Sequence, residues 1–249
     1  MPLLADLVCD RYDRAMLTRR CCAPELMDDS DVDPAQLERS LRFIRTVNRR
    51  LGGTSAALGH LKRWSGNWSG EGPIRIIDIG TGSADIPLAI AGWAARVGKR
   101  VRITAVDSHP TTLALARAHV GGCTEINLVQ ADALRLMDRF EPGEFDYAHA
   151  GMFLHHLDDL EVMTVLRIMD RLSSRGIIWN DLVRGTVQRV AVRLLTLAAG
   201  PMVHHDAIVS VNAGFTKREA IDLAGRVGLP RIAYRRHLFG RFTLVSCKA

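Results

Sequence analysis

The sequence predicts an α/β fold: a doubly wound, mostly parallel seven-stranded sheet with an antiparallel last strand, preceded by an N-terminal helical extension. Three observations predict it. From Ile74 onward, short continuous apolar runs alternate with amphipathic helical stretches, the pattern of parallel strands covered on both faces. The first run ends in a glycine turn, Gly80-Thr81-Gly82, that opens a helix. The chain closes with two β-type runs, Arg231–Arg235 and Arg241–Cys247, too close in sequence for a parallel crossover and therefore paired antiparallel.

Residues 1–70 have helical and loop character and form the extension, a candidate lid. Their clearest helix follows an acidic, turn-rich link and starts at Pro34, with Asp33 as N-cap, Leu37, Leu41, Ile44 and Val47 on one face, and Gly52-Gly53 beyond its end. Residues 71–249 form the main domain. Strands are expected at Ile74–Ile79, Val101–Asp107, Ile126–Gln130, Phe145–Ala150 and Gly176–Asn180, with helices over about 85–97, 110–120 and 158–172. An amphipathic helix over 187–199 and a loop over roughly 200–214 make a substrate cap at about 184–215. Thr216 and Glu219 form a capping box for one more helix.

With 47% apolar and 24% charged residues, the 249-residue chain has ample material for a core. Its formal charge of +6 comes from scattered arginines without a long basic run, which reads as a solvated surface rather than a nucleic-acid groove. The longest apolar stretch, Val190 to Val203, is too short to span a bilayer and contains Arg193. Asp6, Asp10, Arg11 and Asp13 argue against a signal peptide. Five cysteines (9, 21, 22, 123, 247) without a CxxC argue against a disulfide framework or zinc site and fit a cytoplasmic protein.

The chemistry concentrates at strand ends. In Asp78-Ile-Gly80-Thr-Gly82-Ser-Ala84-Asp85 the glycines allow a tight turn and close approach of a ligand to the helix N-terminus. Asp85 is a poor neighbour for a pyrophosphate but acceptable beside an ammonium or sulfonium. Asp107 ends the second strand, placed to accept from a ribose diol, and Asp132 follows the third, where a carboxylate accepts from an adenine amino group. Three acids and a glycine turn at successive strand ends suit a cationic nucleoside.

In these motifs the chain resembles the class I S-adenosylmethionine-dependent methyltransferases, which have a Rossmann-like fold. Asp78-Ile-Gly80-Thr-Gly82, Val106-Asp107, Ala131-Asp132-Ala133 and Phe145-Asp146-Tyr-Ala-His-Ala match four family motifs in order, across about residues 70–249. Ala84 departs from the usual third glycine. The resemblance implies S-adenosylmethionine as cofactor, with Asp78, Gly80, Thr81, Gly82, Asp107, Ser108, Asp132, Ala133 and Ala150 around it.

The segment after the fourth strand, Ala150-Gly-Met152-Phe-Leu154-His155-His156-Leu157, resembles the corresponding region of small-molecule methyltransferases, and the Asn/Asp-Pro-Pro-Tyr/Phe signature of nucleobase or amide nitrogen methylation is absent. A histidine suits deprotonation of a phenol or enol, so His155 and His156 are the catalytic candidates. Met152 of this segment is assigned to the acceptor, as are His204 and His205, because 201–215 resembles the substrate loop of enzymes acting on quinols, phenols and polyketides. A metal site at His204-His205 is disfavoured, because adjacent side chains diverge and no further ligands appear at metal spacing. The expected partner is a small aromatic or polyketide acceptor methylated on oxygen, with C-methylation of a quinol ring, a nucleic-acid methyltransferase and an NAD-dependent dehydrogenase as alternatives. A homodimer is compatible with the sequence.

Overall fold

The computed structural model describes residues 19–68 and 72–248; Cys9 and the N-terminal acids at 6, 10 and 13 lie outside the described residues. The seven strands are β1 Ile74–Ile79, β2 Val101–Asp107, β3 Ile126–Gln130, β4 Phe145–Gly151, β5 Ser173–Leu182, β6 Ala233–His237 and β7 Arg241–Cys247. They form one sheet in the order β3-β2-β1-β4-β5-β7-β6. β1 to β5 run parallel, while β7 lies antiparallel to both β5 and β6. The reversal of order between β1 and β4 makes a crevice at the carboxyl ends of the strands, where ligands of such sheets bind.

Eight α-helices surround the sheet among the described residues: α1 Pro34–Arg50, α2 Gly53–Trp64, α3 Asp85–Arg96, α4 Pro110–Val120, α5 Asp159–Leu172, α6 Thr186–Thr196, α7 Pro201–Ala213 and α8 Lys217–Val227. α1 is capped as its sequence indicates, with Asp33 accepting from the backbone of Gln36. The Thr216–Glu219 capping box is complete in both directions.

One sheet face buries Ile77, Ile79, Trp179 and Phe242 against Val162, Leu166 and Leu223 of α5 and α8. The other buries Ile76, Ile103 and Ile178 against Ile90 and Trp93 of α3 and Leu61 of α2. α2 thus shares a core with the sheet. Trp64 stacks on Tyr147 at 5.0 Å, and the Trp68 indole donates to the Tyr147 hydroxyl at 3.1 Å, so both tryptophans fasten this helix to β4.

The segment 201–213, expected to be a loop, is the helix α7. Pro201 at its first turn after Gly200 is a start signal. Its polar residues do not separate from its apolar ones because the helix is enclosed on several sides: Asp206, Ser210 and Asn212 are as buried as Val203 and Val209. No described helix is long and apolar enough to cross a membrane. Among the described residues, Cys22, Cys123 and Cys247 are free thiols.

His60 of α2 lies 5% exposed, with Nε2 2.9 Å from the Thr243 hydroxyl of β7. Burial, with help from the Arg63 cation, lowers its pKa from 6.5 to about 4. Between those values the unfolded chain binds a proton that the folded one refuses. Stability from this site is therefore full above pH 6.5 and is lost as pH falls toward 4, by no more than about 3 kcal/mol. In urea unfolding from pH 7 to 4, His60→Gln should lose less stability than the parent; parallel curves would refute this.

Candidate functional site

A cavity of about 830 Å³ opens at the carboxyl ends of β1, β2 and β4. It is near the upper end of the ~300–1,000 Å³ typical of small-molecule sites and has room for more than one small ligand. Its floor is the turn after β1. There Gly80 and Gly82 adopt left-handed φ values of +68° and +53°, and the Phe153 ring lies where a Cβ on Gly80 would stand. Ala84, at the position of the usual third glycine, is also left-handed at φ 56° and caps α3. A non-glycine residue tolerates that conformation at modest cost, so the departure from the motif leaves the turn intact.

The acids around this turn are all engaged. Asp78 accepts from the Thr81 hydroxyl at 2.6 Å and pairs with His149 Nδ1. Asp107 accepts from the backbone of Gly82 at 2.9 Å and of His109 at 3.0 Å, while burial pushes its carboxyl pKa up. Asp132 caps the short turn after β3 by accepting from Leu134 at 2.9 Å. Asp85 accepts from Asn48 of α1 at 3.0 Å, and burial raises it as well. Asn48 in turn accepts from Arg241 at 2.8 Å, a fully buried guanidinium that burial lowers to about 10 against the pull of Asp181 and Asp85.

Of the residues singled out in the sequence, Asp78, Gly80, Thr81, Gly82, Asp107, Ser108, Asp132, Ala133, Met152, His155 and His156 line the cavity. Ala150, His204 and His205 do not. Strand alternation turns His149 and Gly151 toward the cavity and buries Ala150 in the opposite core. On α7 the helical period aims Val203, Asp206 and Ser210 inward. His204 instead meets the Thr196 hydroxyl at 2.7 Å and His205 meets Asp206 at 3.0 Å. Arg42 pairs with Glu38 on the exposed face of α1, whereas Asn48 of the same helix lines the cavity.

The two catalytic candidates belong to a cluster assembled from three parts of the chain. His155 is fully buried, and its Nδ1 lies 2.6 Å from Asp181 of β5. Burial alone would favour the neutral ring, but the Asp181 and Glu25 carboxylates outweigh it and hold His155 up to about 10. His156 Nδ1 meets Asp28 at 2.7 Å; against burial, Glu25 foremost raises its pKa. Glu25 is held low by the same two rings. It sits on a strap, residues 20–28, fastened across the cavity. Arg20 donates to the carbonyls of Leu157 at 2.8 Å and Ala213 at 2.9 Å, and the backbone of Leu26 and Met27 donates to Asp206 at 2.8 and 3.1 Å.

Sequence reasoning missed Glu25, Asp28, His149, Asp181 and Arg241. Only Asp181, an acid closing the fifth strand like Asp107 closes the second, carried a local signal. His149 lies beside the glycine turn with Nε2 buried and unpartnered.

The order and directions of the strands are those of the Rossmann-like methyltransferase fold. Residues 76–176 match the family model described as a methyltransferase domain, and the seven-stranded mixed sheet around them has the Rossmann-like methyltransferase topology. No curated protein matches it by sequence. Among solved structures, it is similar to a candidate O-methyltransferase from Nostoc punctiforme (16% identity, TM-score 0.55, covering 82% of this chain and 59% of that one). It is also similar to a SAM-dependent methyltransferase from Aquifex aeolicus (13%, 0.59, 88% and 100%) and to the plantazolicin methyltransferase BamL in complex with a triazolic desmethylPZN analog and SAH (16%, 0.59, 78% and 70%). At these identities the likeness concerns the fold, and the chain spans only about three fifths of the Nostoc protein's length.

Proposed function

We propose that the protein transfers a methyl group from S-adenosylmethionine to the hydroxyl of a small, largely apolar aromatic or polyketide acceptor in the cytoplasm. The observation that carries this reading is the division of the cavity. One wall is the glycine turn with its acids, and the other is apolar, built from Leu41, Ile44 and Val47 of α1 and Val192, Val203 and Val211 of α6 and α7. The solved structure of BamL in complex with a triazolic desmethylPZN analog and SAH supports a small-molecule acceptor, as does the Nostoc O-methyltransferase candidate.

The turn fits the cofactor: Gly80 and Gly82 hold the left-handed backbone of a tight turn at the start of α3, and buried acids nearby suit a sulfonium and an ammonium. Gly80, Thr81 and Gly82 hold the methionine portion, with Asp78 fixing the Thr81 hydroxyl; Asp107 and Ser108 hold the ribose, and Asp132 with Ala133 the adenine. The bound cofactor supplies an electrophilic methyl group; the chain's residues align the acceptor behind it and exclude water. The acceptor hydroxyl faces Glu25, His155 and His156, which manage its proton. The division of the chain into a lid-like extension and a catalytic domain belongs to this reading, with α1 and the 20–28 strap as the covering parts.

Asp107→Ala should weaken S-adenosylhomocysteine binding by about 1–3 kcal/mol, the cost of charged hydrogen bonds; unchanged affinity in the folded variant would refute the ribose assignment. The function itself is tested with radiolabelled S-adenosylmethionine against a panel of apolar phenols and enols, with RNA and DNA in parallel. Label entering a phenol or enol is expected, with turnover reduced in His156→Gln. Label entering only nucleic acid would overturn the acceptor class.

A further inference from the structure

We infer that Glu25, His155 and His156 bind one divalent transition-metal cation of the zinc or iron(II) class in the wall of the cavity. Glu25 Oε1 lies 3.6 Å from His155 Nε2 and 3.9 Å from His156 Nε2, and the three ligand atoms fall within 4.8 Å of one another. A tetrahedral ion with bonds near 2.0–2.2 Å separates its ligands by about 3.4 Å, so a small inward shift of side chains completes the site.

The outer contacts are those a metal site uses. Each ring has its Nδ1 fixed by a carboxylate, His155 by Asp181 at 2.6 Å and His156 by Asp28 at 2.7 Å, which turns both Nε2 atoms toward the same glutamate. His155 Nε2 is buried and has no hydrogen-bond partner. Without a cation it faces Glu25 Oε1 only at ion-pair distance, 3.6 Å, and makes no hydrogen bond, an arrangement uncommon for a buried ring nitrogen. The rings belong to consecutive residues, whose side chains ordinarily diverge; the short turn Leu154–His156 brings their centroids to 4.4 Å.

Two imidazoles and one carboxylate select borderline transition cations over magnesium or calcium, which prefer all-oxygen shells. Three protein ligands leave a coordination position open, as catalytic sites do. The cluster faces the cavity, so that position is available to an oxygen of a bound molecule, whose proton would then leave more readily. Binding of the cation stands independently of the proposed reaction; its role toward an acceptor hydroxyl rests on that reading.

The test uses the full chain, stripped with a chelator and titrated with Co²⁺ and then Zn²⁺. One equivalent of Co²⁺ with a visible d–d band is expected, displaced by Zn²⁺ and raising the melting temperature. Asp28→Asn should weaken binding about 10–100-fold, as loss of an outer-shell partner does, and Glu25→Gln and His156→Gln should weaken it further. Circular dichroism checks that each variant is folded, and the partly exposed His156 and Asp28 keep the test decisive if changes at buried Glu25 prevent folding. Absence of a stoichiometric site in the parent chain, or parental affinity in His156→Gln, would overturn the assignment. S-adenosylhomocysteine titrated into the same metal-free protein reads the cofactor separately: its failure beside a retained metal site would refute the methyltransferase reading alone.

Discussion

Gly80→Ala is expected to destabilise the protein by about 2–5 kcal/mol and to abolish measurable cofactor binding. Two costs add at this position. The left-handed backbone at φ +68° costs an alanine about 1–2 kcal/mol. The new methyl group would also collide with the Phe153 side chain, an overpacking of about 1–3 kcal/mol. Gly143 separates the two, because it has a similar φ of +71° with open space around it. Gly143→Ala should show only the smaller, backbone cost. Truncating Phe153 to alanine in the Gly80→Ala background should return part of the lost stability, a coupling that a double-mutant cycle measures. Equal destabilisation by Gly80→Ala and Gly143→Ala would show that the close approach of Phe153 has no energetic weight.

Asp181→Ala should cost about 3–5 kcal/mol in urea unfolding at pH 7, a large share of the ~5–15 kcal/mol that holds a typical domain together. The carboxylate is fully buried. It accepts from the Trp179 indole at 3.1 Å and from its own neighbour Leu182 at 2.9 Å, and it faces the His155 ring. His155 holds its carboxylate pKa down in spite of burial. Removing it leaves a buried imidazolium and the Arg241 guanidinium short of their counter-charge, which is why truncation costs more than the pair itself contributes. Asp181→Asn keeps an acceptor for Trp179 and should fall between the two. A loss below about 1 kcal/mol for Asp181→Ala would mean that solvent or local rearrangement compensates the charge.

The strands were legible because a parallel sheet buried on both faces demands uninterrupted apolar runs; Ile74–Ile79, Val101–Asp107 and Ile126–Gln130 begin and end where the sequence places them. The glycine turn was legible for the same local reason, since few other sequences permit its backbone. α7 was not: a helix enclosed on several sides shows no polar face, so Pro201 was its one signal. The Glu25–His155–His156–Asp181 cluster was legible only in part. The adjacent histidines stand out, but Glu25 meets Ser210 across 185 residues, and nothing near an acidic link reveals that it will be strapped over the end of β4. Ala150 was misplaced by a period-two effect, its neighbours on either side facing the cavity in its stead. The pair His204-His205 stands in a segment that resembles a substrate loop, whereas on α7 His204 meets the Thr196 hydroxyl and His205 meets Asp206.

The proposed function depends most directly on which nucleoside the protein binds. Calorimetric titration of the purified chain with S-adenosylhomocysteine, with NAD in a parallel cell, measures it. Saturable one-to-one binding of S-adenosylhomocysteine alone is the predicted result, whereas binding of NAD alone would contradict the account and assign Asp107 to a dehydrogenase.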